Sequence, residues 1–432
     1  MAPPFLKYGF GLWLLATSAG AASPASKHFV FSADATPTAG VLQVLGTELY
    51  TKERGYGFEP GSTPIATREG ALGIESFHFT TDLPEGNWRV RVILRGEGKG
   101  GGNVAVKAEL RRLLLGPVRL FPNQTLEREF IINTRSNRIA ARNGVAAGEV
   151  RLKAPRETTQ EAWAWDDRLT LEIHGAIVVE LKTTPAQVPT VFLLGDSTVC
   201  DQSREPYNSW GQMLTRFFKP TVAIANHGES GETYRDSIGR RRLDKVISVM
   251  QPGDYLIMQF GHNDQKQIAA GTGGPFTTYV EEMKKHLAAV RAVGGIPIVV
   301  SPMERRNFDA EGRVVPSLAD YARAARETAA AEKVAFIDLN AMSIQLYEAL
   351  GVEGSAAAFA APDGKVDNTH HNNFGSYELA RCVARGIAET KLPLAEELVD
   401  DLWNFDPARP DDPRTFAVPP SPNFTNQRPL GD

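Results

Sequence analysis

Four short polar segments of this 432-residue chain hold the residue types that ester hydrolysis requires. That reaction needs a nucleophile, a base that takes its proton, a group that orients the base, and N–H donors for the oxyanion. The segments contain a serine, an asparagine, aspartates and histidines in that combination. They are Gly195-Asp196-Ser197, Asn226-His227-Gly228-Glu229-Ser230-Gly231, Gly261-His262-Asn263-Asp264 and Asp367-Asn368-Thr369-His370-His371.

The candidate catalytic residues are Ser197 as the nucleophile, His370 as the base and Asp367 as the group that orients the base. Because Asp367 precedes His370 on the same loop, it can hold the imidazole in the useful tautomer. Three donors can bind the oxyanion. They are the backbone N–H of Ser197 at the start of a predicted helix, the backbone N–H of Gly231, and the side-chain amide of Asn263.

The remaining histidines have other expected roles. His371 is the rival base, but only one of two adjacent side chains can point at Ser197, and we expect His371 to support the site or face the substrate. His262 is expected to support its own loop by hydrogen bonds. A zinc site that combines these side chains with His227 is disfavoured, because none shows the i, i+4 pairing of known zinc motifs. We therefore expect no metal and no cofactor.

The polar segments follow short apolar runs that alternate with helix-like segments from residue 190 onward. The runs are residues 191–194, 222–225, 255–260, 296–300 and 334–339, with helical patterns at 279–293 and 318–331. This alternation predicts an α/β fold with a parallel sheet covered on both faces, and five runs suit a flavodoxin-like strand order. Ligands collect at the carboxyl ends of such strands, so the polar segments are expected to meet there.

Residues 28–185 have the pattern of short β-strands with turns between them, which predicts a β-sandwich domain. The alternation of apolar and polar residues is clearest at Trp88, Val90, Val92 and Leu94, at Val104, Val106, Ala108 and Leu110, and at Leu169, Leu171 and Ile173. Residues 185–189 form a short linker to the second domain, residues 190–391. Residues 392–432 are proline-rich and are expected to be a tail on the surface or partly disordered.

The N-terminus and the composition suggest export and a partner that is not nucleic acid. Residues 1–22 have a lysine, an apolar run and a small-residue stretch, as in a signal peptide, and the run is too short for a membrane span. We expect a secreted or periplasmic protein. The net charge of −4 and the pI near 6.1 argue against nucleic acid. Cys200 and Cys382 allow one disulfide, but two buried free thiols are favoured.

The order and spacing of the four polar segments resemble the sequence blocks of the SGNH (GDSL-type) hydrolases across about residues 190–391. Within that superfamily, Gly-Asp-Ser-Thr followed by Asn208-Ser209-Trp210-Gly211, then Phe-Gly-His-Asn-Asp and Asp-Asn-Thr-His, is most similar to the rhamnogalacturonan acetylesterases. The resemblance implies the removal of acetyl groups from pectin and the same catalytic and oxyanion roles as above. The N-terminal β-domain, which we predict to be galactose-binding-like, lies outside the family core and is similar to attachments in some bacterial pectin-degrading esterases.

An acetylated pectic polysaccharide or oligosaccharide would present carboxylates, and Arg235 is the candidate that grips them. Trp210 and His371 are the other candidate substrate-binding residues. Arginines 240–242 are expected on a solvated helix face. The second block departs from the family pattern at Ser230-Gly231-Glu232-Thr233, because many members have arginine and serine after this glycine.

Two further interpretations remain open. Trp163 and Trp165, beside Asp166 and Asp167, are either a sugar-stacking platform or core residues, and core packing is the commoner fate. The alternative functions are an acetylesterase for another glycan such as xylan, a hydrolase of small esters, or an inactive carbohydrate-binding protein. The oligomeric state is not predicted.

Overall fold

The computed structural model describes residues 26–36, 38–45, 48–61, 64–73, 76–97, 101–402 and 404–422. The predicted signal peptide, residues 1–22, lies outside these ranges, as do residues 423–432 of the proline-rich segment. Within the described ranges, no helix is both long and apolar enough to cross a membrane.

The N-terminal region, residues 26–185, consists mainly of β-strands. They are β1 Lys27–Val30, β2 Leu42–Gln43, β3 Tyr56–Phe58, β4 Ile65–Ala66, β5 Ala71–Leu72, β6 Ser76–Asp82, β7 Gly86–Arg95, β8 Gly102–Ala108, β9 Arg112–Leu120, β10 Thr125–Thr134, β11 Arg138–Ile139, β12 Gly148–Glu149, β13 Arg168–His174 and β14 Ile177–Pro185. Helical turns lie at Arg156–Gln160 and Ala162–Ala164.

These strands form two larger sheets with mainly antiparallel pairing. One has the order β10-β7-β14-β1-β2, with β5 on β14 and β4 on β5, and the other has the order β3-β6-β13-β8-β9. The predicted alternation holds in β7, where Trp88, Val90, Val92 and Leu94 are buried in the core between the sheets. In β13 both faces are buried, Glu172 included, because other parts of the chain cover the polar face.

The C-terminal region contains a five-stranded parallel sheet, which confirms the α/β prediction. Its strands are β15 Thr190–Gly195, β16 Ala223–Asn226, β17 Tyr255–Gln259, β18 Ile296–Val300 and β19 Ala335–Ile337. Their order is β16-β15-β17-β18-β19 with parallel pairing throughout. This is the flavodoxin-like order, and it places β15 between the strands that precede the second and third polar segments.

Helices cover both faces of this sheet. They are α1 Trp210–Leu214, α2 Tyr234–Gly239, α3 Arg242–Val249, α4 Lys266–Ala269, α5 Thr278–Ala292, α6 Ala319–Glu332, α7 Leu339–Gly354 and α8 Asn373–Glu389. Successive side chains of a strand point to opposite faces. Val191 and Leu193 therefore pack in a core with α1, α7 and α8, whereas Phe192 and Leu194 pack in another with α2, α3, α5 and α6.

Residues 135–167, between β10 and β13, pack against α2 and α3. Arg242 is fully buried there and donates to Glu157 Oε2 at 2.6 Å. Arg241 donates to the carbonyl of Ala146. The expectation of a solvated face is therefore wrong for Arg242, because a distant part of the chain covers it, whereas Arg240 and Arg241 stay partly exposed.

The same packing decides between the two interpretations of the tryptophans. Trp163 and Trp165 are buried in a core cluster. The guanidinium groups of Arg135 and Arg242 lie 4.6 and 5.6 Å from the Trp165 ring centroid, and its indole N–H donates to Glu157. Trp165 is thus a core residue and offers no open ring face for a sugar.

The proline-rich segment was expected to be a surface tail or partly disordered, but in the described part of it several apolar side chains are buried against the core. Its helical turns at Pro393–Glu397 and Asp400–Leu402 bring Leu394, Leu398 and Leu402 into the core beside α8. Farther along, Ser421 donates to the buried Glu172 at 2.9 Å. Apolar residues spread among the prolines supply this packing.

Both cysteines are buried free thiols, as favoured from the sequence. Cys200 follows the nucleophile segment, and Cys382 lies inside α8. The two form no disulfide.

Truncation after Phe416 is expected to destabilise the protein by about 3 kcal/mol or more, because hydrogen bonds to charged groups contribute about 1.5–3 kcal/mol each. The truncation removes the acceptors of Lys107 Nζ on Pro419 O and Ser421 Oγ, at 2.8 and 2.7 Å. Urea unfolding measures the loss. Truncation after Pro422 is the control and keeps these contacts, so an equal loss in both variants would contradict the prediction.

Candidate active site

The nucleophile segment is a tight turn at the carboxyl end of β15. The backbone N–H groups of Val199 and Cys200 both donate to the carbonyl of Asp196 at 3.0 Å. A Cβ at Gly195 would lie 2.4 Å from Val199 Cγ2 and 2.5 Å from the carbonyl of Gln259. Only glycine therefore fits at this close approach, which lets the chain reverse and present Ser197.

Ser197 does not begin a helix, contrary to the expectation from the sequence. The turn is followed by an irregular segment that contains a further turn, and α1 begins only at Trp210. The N–H of Ser197 therefore remains a candidate oxyanion donor only as part of a turn, without a helix behind it. No helix follows the turn because the carbonyl of Val199 accepts hydrogen bonds from the side chains of Asn226 and Ser209, at 2.6 and 2.9 Å.

Trp210 lies beneath this turn and is completely buried. Its indole N–H donates to Gln259 Oε1 at 2.8 Å, and Gln259 Nε2 donates to Thr198 Oγ1 at 2.6 Å. The prediction that Trp210 binds substrate is wrong, because no part of its side chain reaches the surface. It supports the residue that follows the nucleophile instead.

The structure brings Ser197, His370 and Asp367 together in one hydrogen-bonded chain. The Oγ of Ser197 is 2.9 Å from Nε2 of His370, and Nδ1 of His370 is 2.9 Å from Oδ2 of Asp367. His370 keeps 30% of its side chain exposed, so a substrate can approach the serine and the imidazole together. The Tyr207 ring meets the imidazole edge-on with 5.9 Å between centroids.

Asp367 is held ionised by its own loop. Its Oδ1 accepts the backbone N–H groups of Thr369 and His370 at 2.7 and 2.9 Å. Burial opposes ionisation, but these bonds and the imidazole lower the pKa of Asp367 well below its usual range. A carboxylate that stays charged fixes the proton on Nδ1 of His370 and leaves Nε2 free to accept a proton from Ser197.

His371 points the other way, into the protein. Its Nε2 is 2.9 Å from the Tyr347 hydroxyl, and its ring lies 4.1 Å from that of Phe359. With only 2% of the residue exposed, it cannot face a substrate, so that part of the prediction is wrong. Burial, together with the charges of His370 and His262, lowers the pKa of His371 to about 3.

The two other oxyanion candidates lie on the loops after β16 and β17. Gly231 has a φ of 76°, in the left-handed region that favours glycine. Asn263 Nδ2 donates to the carbonyl of Glu232 at 3.2 Å, and its Oδ1 accepts Lys266 Nζ at 2.7 Å. One N–H of this amide is therefore occupied, and an oxyanion would take the other.

His262 and His227 are both buried and separate from the proton chain. His262 Nδ1 lies 3.3 Å from Oδ2 of Asp196, so its imidazole faces the nucleophile turn and not its own loop, which was the expected partner. His227 packs between Trp165 and Phe192, and burial lowers its pKa far below the ordinary value.

One group of three possible metal ligands occurs among the described residues, and it contains no histidine. It consists of Glu157, Glu161 and Glu229, whose carboxylate oxygens approach within 4.8 Å of one another. Arg242 and Arg156 already bind two of these carboxylates. Burial and the neighbouring Glu229 raise the pKa of Glu161 well above its usual range, which favours its neutral form. The trio is thus neutralised by protein groups.

Arg235 lies at the start of α2 with nearly half of its side chain exposed. Its Nε donates to Glu282 at 2.8 Å, and its Nη2 donates to the carbonyl of Thr272 at 3.1 Å. The guanidinium therefore already has a carboxylate partner. Contact with a substrate stays a prediction, and the substrate would have to share the arginine with Glu282.

Several residues around the site carry no motif and were not predicted. Lys153 and Arg156 reach the loop that contains Gly231, and Tyr207 contacts the imidazole of His370. Tyr207 directly precedes the Asn-Ser-Trp-Gly segment, and that position was its only signal in the sequence. The two cations lie in an ordinary polar stretch nearly 80 residues before the loop.

A parallel sheet with a Ser–His–Asp chain at its carboxyl edge is the arrangement of a serine hydrolase. Residues 193–375 match the model of the GDSL-like Lipase/Acylhydrolase family. Rhamnogalacturonan acetylesterase RhgT of Bacillus subtilis (strain 168) is 38% identical over 220 residues, which is 48% of this chain and 94% of that protein. The chain therefore belongs to the GDSL-like lipase/acylhydrolase family and is a carboxylic ester hydrolase.

Two further relatives are also proteins of Bacillus subtilis (strain 168). The probable rhamnogalacturonan acetylesterase YesY is 32% identical over 215 residues, which is 49% of this chain and 98% of that protein. The uncharacterized esterase YxiM is 27% identical over 388 residues, which is 85% of this chain and 92% of that protein. The match to YxiM thus extends over much more of this chain than the matches to the two acetylesterases.

His371→Gln is expected to make the stability less sensitive to acid. The unfolded imidazole binds a proton below about pH 6.5, whereas the folded one stays neutral down to about pH 3. Stability is therefore lost as the pH falls through this window, by up to about 1.4 kcal/mol per pH unit. Urea unfolding between pH 6 and 4 measures how the free energy of unfolding changes with pH. In the His371→Gln variant this change should correspond to about one fewer proton taken up on unfolding than in the wild type.

Tyr347→Phe is the control for this measurement. It removes the hydrogen bond of His371 but leaves the buried imidazole, so the steep slope should remain. Equal slopes in the wild type and the His371→Gln variant would contradict the assigned cause.

Proposed function

We propose that this protein removes acetyl groups from an acetylated pectic polysaccharide of the rhamnogalacturonan type. The observation that carries the proposal is the hydrogen-bonded chain from Ser197 Oγ through His370 to Asp367. This chain supplies a nucleophile, a base and an orienting carboxylate, which together suit acyl transfer. The names of RhgT and YesY support the choice of substrate.

In the proposed reaction, His370 Nε2 takes the proton of Ser197 as Oγ attacks the acetyl carbonyl. The negative charge that develops on the carbonyl oxygen is bound by the N–H groups of Ser197 and Gly231 and by the amide of Asn263. The C–O bond to the sugar then breaks, and His370 gives its proton to the leaving hydroxyl. Water attacks the acetyl-enzyme with His370 again as the base, which releases acetate and restores Ser197.

No metal or cofactor takes part in this proposed reaction. The nucleophile is activated by an adjacent base, so each proton is accepted and returned by His370. Asp367 keeps its charge throughout and stabilises the imidazolium that forms.

We further propose that the protein is exported to the periplasm or secreted, where polysaccharide is accessible. The signal-like pattern of residues 1–22 supports this location. The N-terminal region would form a β-sandwich of galactose-binding-like type, which is supported by the core shared between its two sheets.

Ser197→Ala and His370→Ala should each reduce kcat for an activated acetate ester on the order of a thousandfold, because the members of such a chain act as a unit. His371→Gln should retain most of the activity, because its side chain faces away from the serine. Equal loss in the His370 and His371 variants would contradict the assignment of the base.

Acetate release from a panel of acetylated polysaccharides tests the substrate. Acetylated rhamnogalacturonan should have the highest kcat/KM, with acetylated xylan and small acetate esters as comparisons. Preference for xylan would contradict the pectic assignment while leaving the esterase assignment intact. A wild-type protein that releases acetate from none of them would be an inactive binding protein.

Arg235→Ala should raise KM for an acetylated galacturonate-containing oligosaccharide about tenfold or more, because a charge-assisted bidentate contact is lost. The KM for a neutral acetate ester should not change. Glu282→Gln is the matched variant, because it frees Arg235 from its partner and should lower KM for the acidic oligosaccharide. An unchanged KM in both variants would show that Arg235 does not contact the substrate.

A further inference from the structure

Two cations from the N-terminal region bind the carbonyl oxygen of Ser230. Lys153 Nζ donates to it at 2.6 Å, and Arg156 Nη2 donates at 2.8 Å. This carbonyl belongs to the same peptide unit as the N–H of Gly231, the proposed oxyanion donor. Because the peptide unit is planar and trans, its C=O and N–H point in opposite directions. The two cations therefore lie behind the N–H that would bind the oxyanion.

The same cations are anchored on carboxylates at both sides of Gly231. Lys153 Nζ is 2.6 Å from Oε1 of Glu232, whose side chain is completely buried. Arg156 forms an ion pair with Glu229. The guanidinium groups of Arg240 and Arg242 are farther from the Glu232 carboxylate than Lys153 is, at 3.4 and 3.7 Å. The loop is thus held at the residues that precede and follow the glycine.

Glu232 also links this arrangement to the second loop of the oxyanion site. Its backbone carbonyl accepts the amide of Asn263 at 3.2 Å. A shift of Glu232 would therefore move both the Gly231 peptide and the Asn263 side chain. The departure from the family pattern at residue 232 has a physical role here, since the glutamate supplies the counterion for Lys153.

We propose that Lys153 and Arg156 are positioning residues of the oxyanion hole, which fix the Ser230–Gly231 peptide and polarise it toward the oxyanion. This inference rests on the proposed function. A cation at the carbonyl end draws electron density to the oxygen and makes the N–H a stronger donor, an effect that is larger where water is excluded. The benefit appears when charge develops in the transition state, so it raises kcat and leaves ground-state binding largely unchanged.

Lys153→Met and Arg156→Met test the proposal in steady-state kinetics with an activated acetate ester. Each should lower kcat about tenfold, and the double variant about a hundredfold, similar to the loss of one oxyanion donor. KM should stay within about twofold. Lys153→Arg should recover part of the loss, because it restores the charge and a donor to the Ser230 carbonyl.

An alkyl boronic acid provides a second readout. Its tetrahedral adduct on Ser197 places an oxygen where the oxyanion forms. Its inhibition constant should therefore rise across the variants in proportion to the fall in kcat/KM. If Lys153→Met does not fold, Arg156→Met and Lys153→Arg still test the proposal, since the Arg156 side chain is more exposed than that of Lys153.

Lys245→Met is the matched control. Lys245 also joins the two regions, through Glu85 Oε1 and the carbonyl of Arg138, both at 2.5 Å, but it does not contact the Gly231 loop. This variant should lower the melting temperature and keep kcat. Equal loss of kcat in the Lys245 and Lys153 variants, or an unchanged kcat in the double variant, would overturn the proposal. A wild type without esterase activity would instead overturn the proposed function.

Discussion

The parallel pairing of β16, β15 and β17 is the constraint on which the rest of the site depends. Leu193 pairs with Asn226, and Gly195 pairs with Gln259, so the three strands end at one edge of the sheet. Ser197 and the loops that carry Gly231 and Asn263 begin at this edge. Parallel strands need covered faces and long crossovers, and the helices on both faces meet that need. The proposed oxyanion donors can therefore come from separate loops that begin at the same edge of the sheet.

The acid–base loop has to reach this edge from a distant part of the chain. Its position is secured on the side away from the substrate, where the N–H of Asn208 donates to the carbonyl of His371 at 2.8 Å and the His371 ring packs beside Phe359. Adjacent residues of an extended segment point in opposite directions, so the buried His371 directs His370 outward. Because His371 is buried in its neutral form, the free energy of unfolding falls when the pH is lowered.

The N-terminal region contributes directly to the surroundings of the site. Besides the cations at the Gly231 loop, Arg112 Nε lies 2.8 Å from Oδ2 of Asp201, and Arg111 Nη1 donates to the carbonyl of Tyr207 at 2.8 Å. Buried ion pairs of this kind contribute little net stability, because desolvation opposes the attraction. Removing one partner is nevertheless destabilising, since it leaves an uncompensated buried charge. Both the segment after the nucleophile and the proposed oxyanion loop are thus held by residues that precede the catalytic motifs in the chain.

The sequence by itself predicted the parallel sheet, its strand order and the set of Ser197, His370 and Asp367, because apolar periodicity and motif residues can be read directly from the chain. It also named Gly231 and Asn263 as candidate oxyanion donors, a role that stays a prediction. Only the tertiary structure decided which faces are covered. It buried Trp210, His371 and Arg242, replaced the expected helix at Ser197 by a turn, packed leucines of the proline-rich segment into the core, and brought Lys153 to the loop that contains Gly231. No local pattern reports such contacts, because burial and ion pairing between distant segments depend on how whole layers pack against one another.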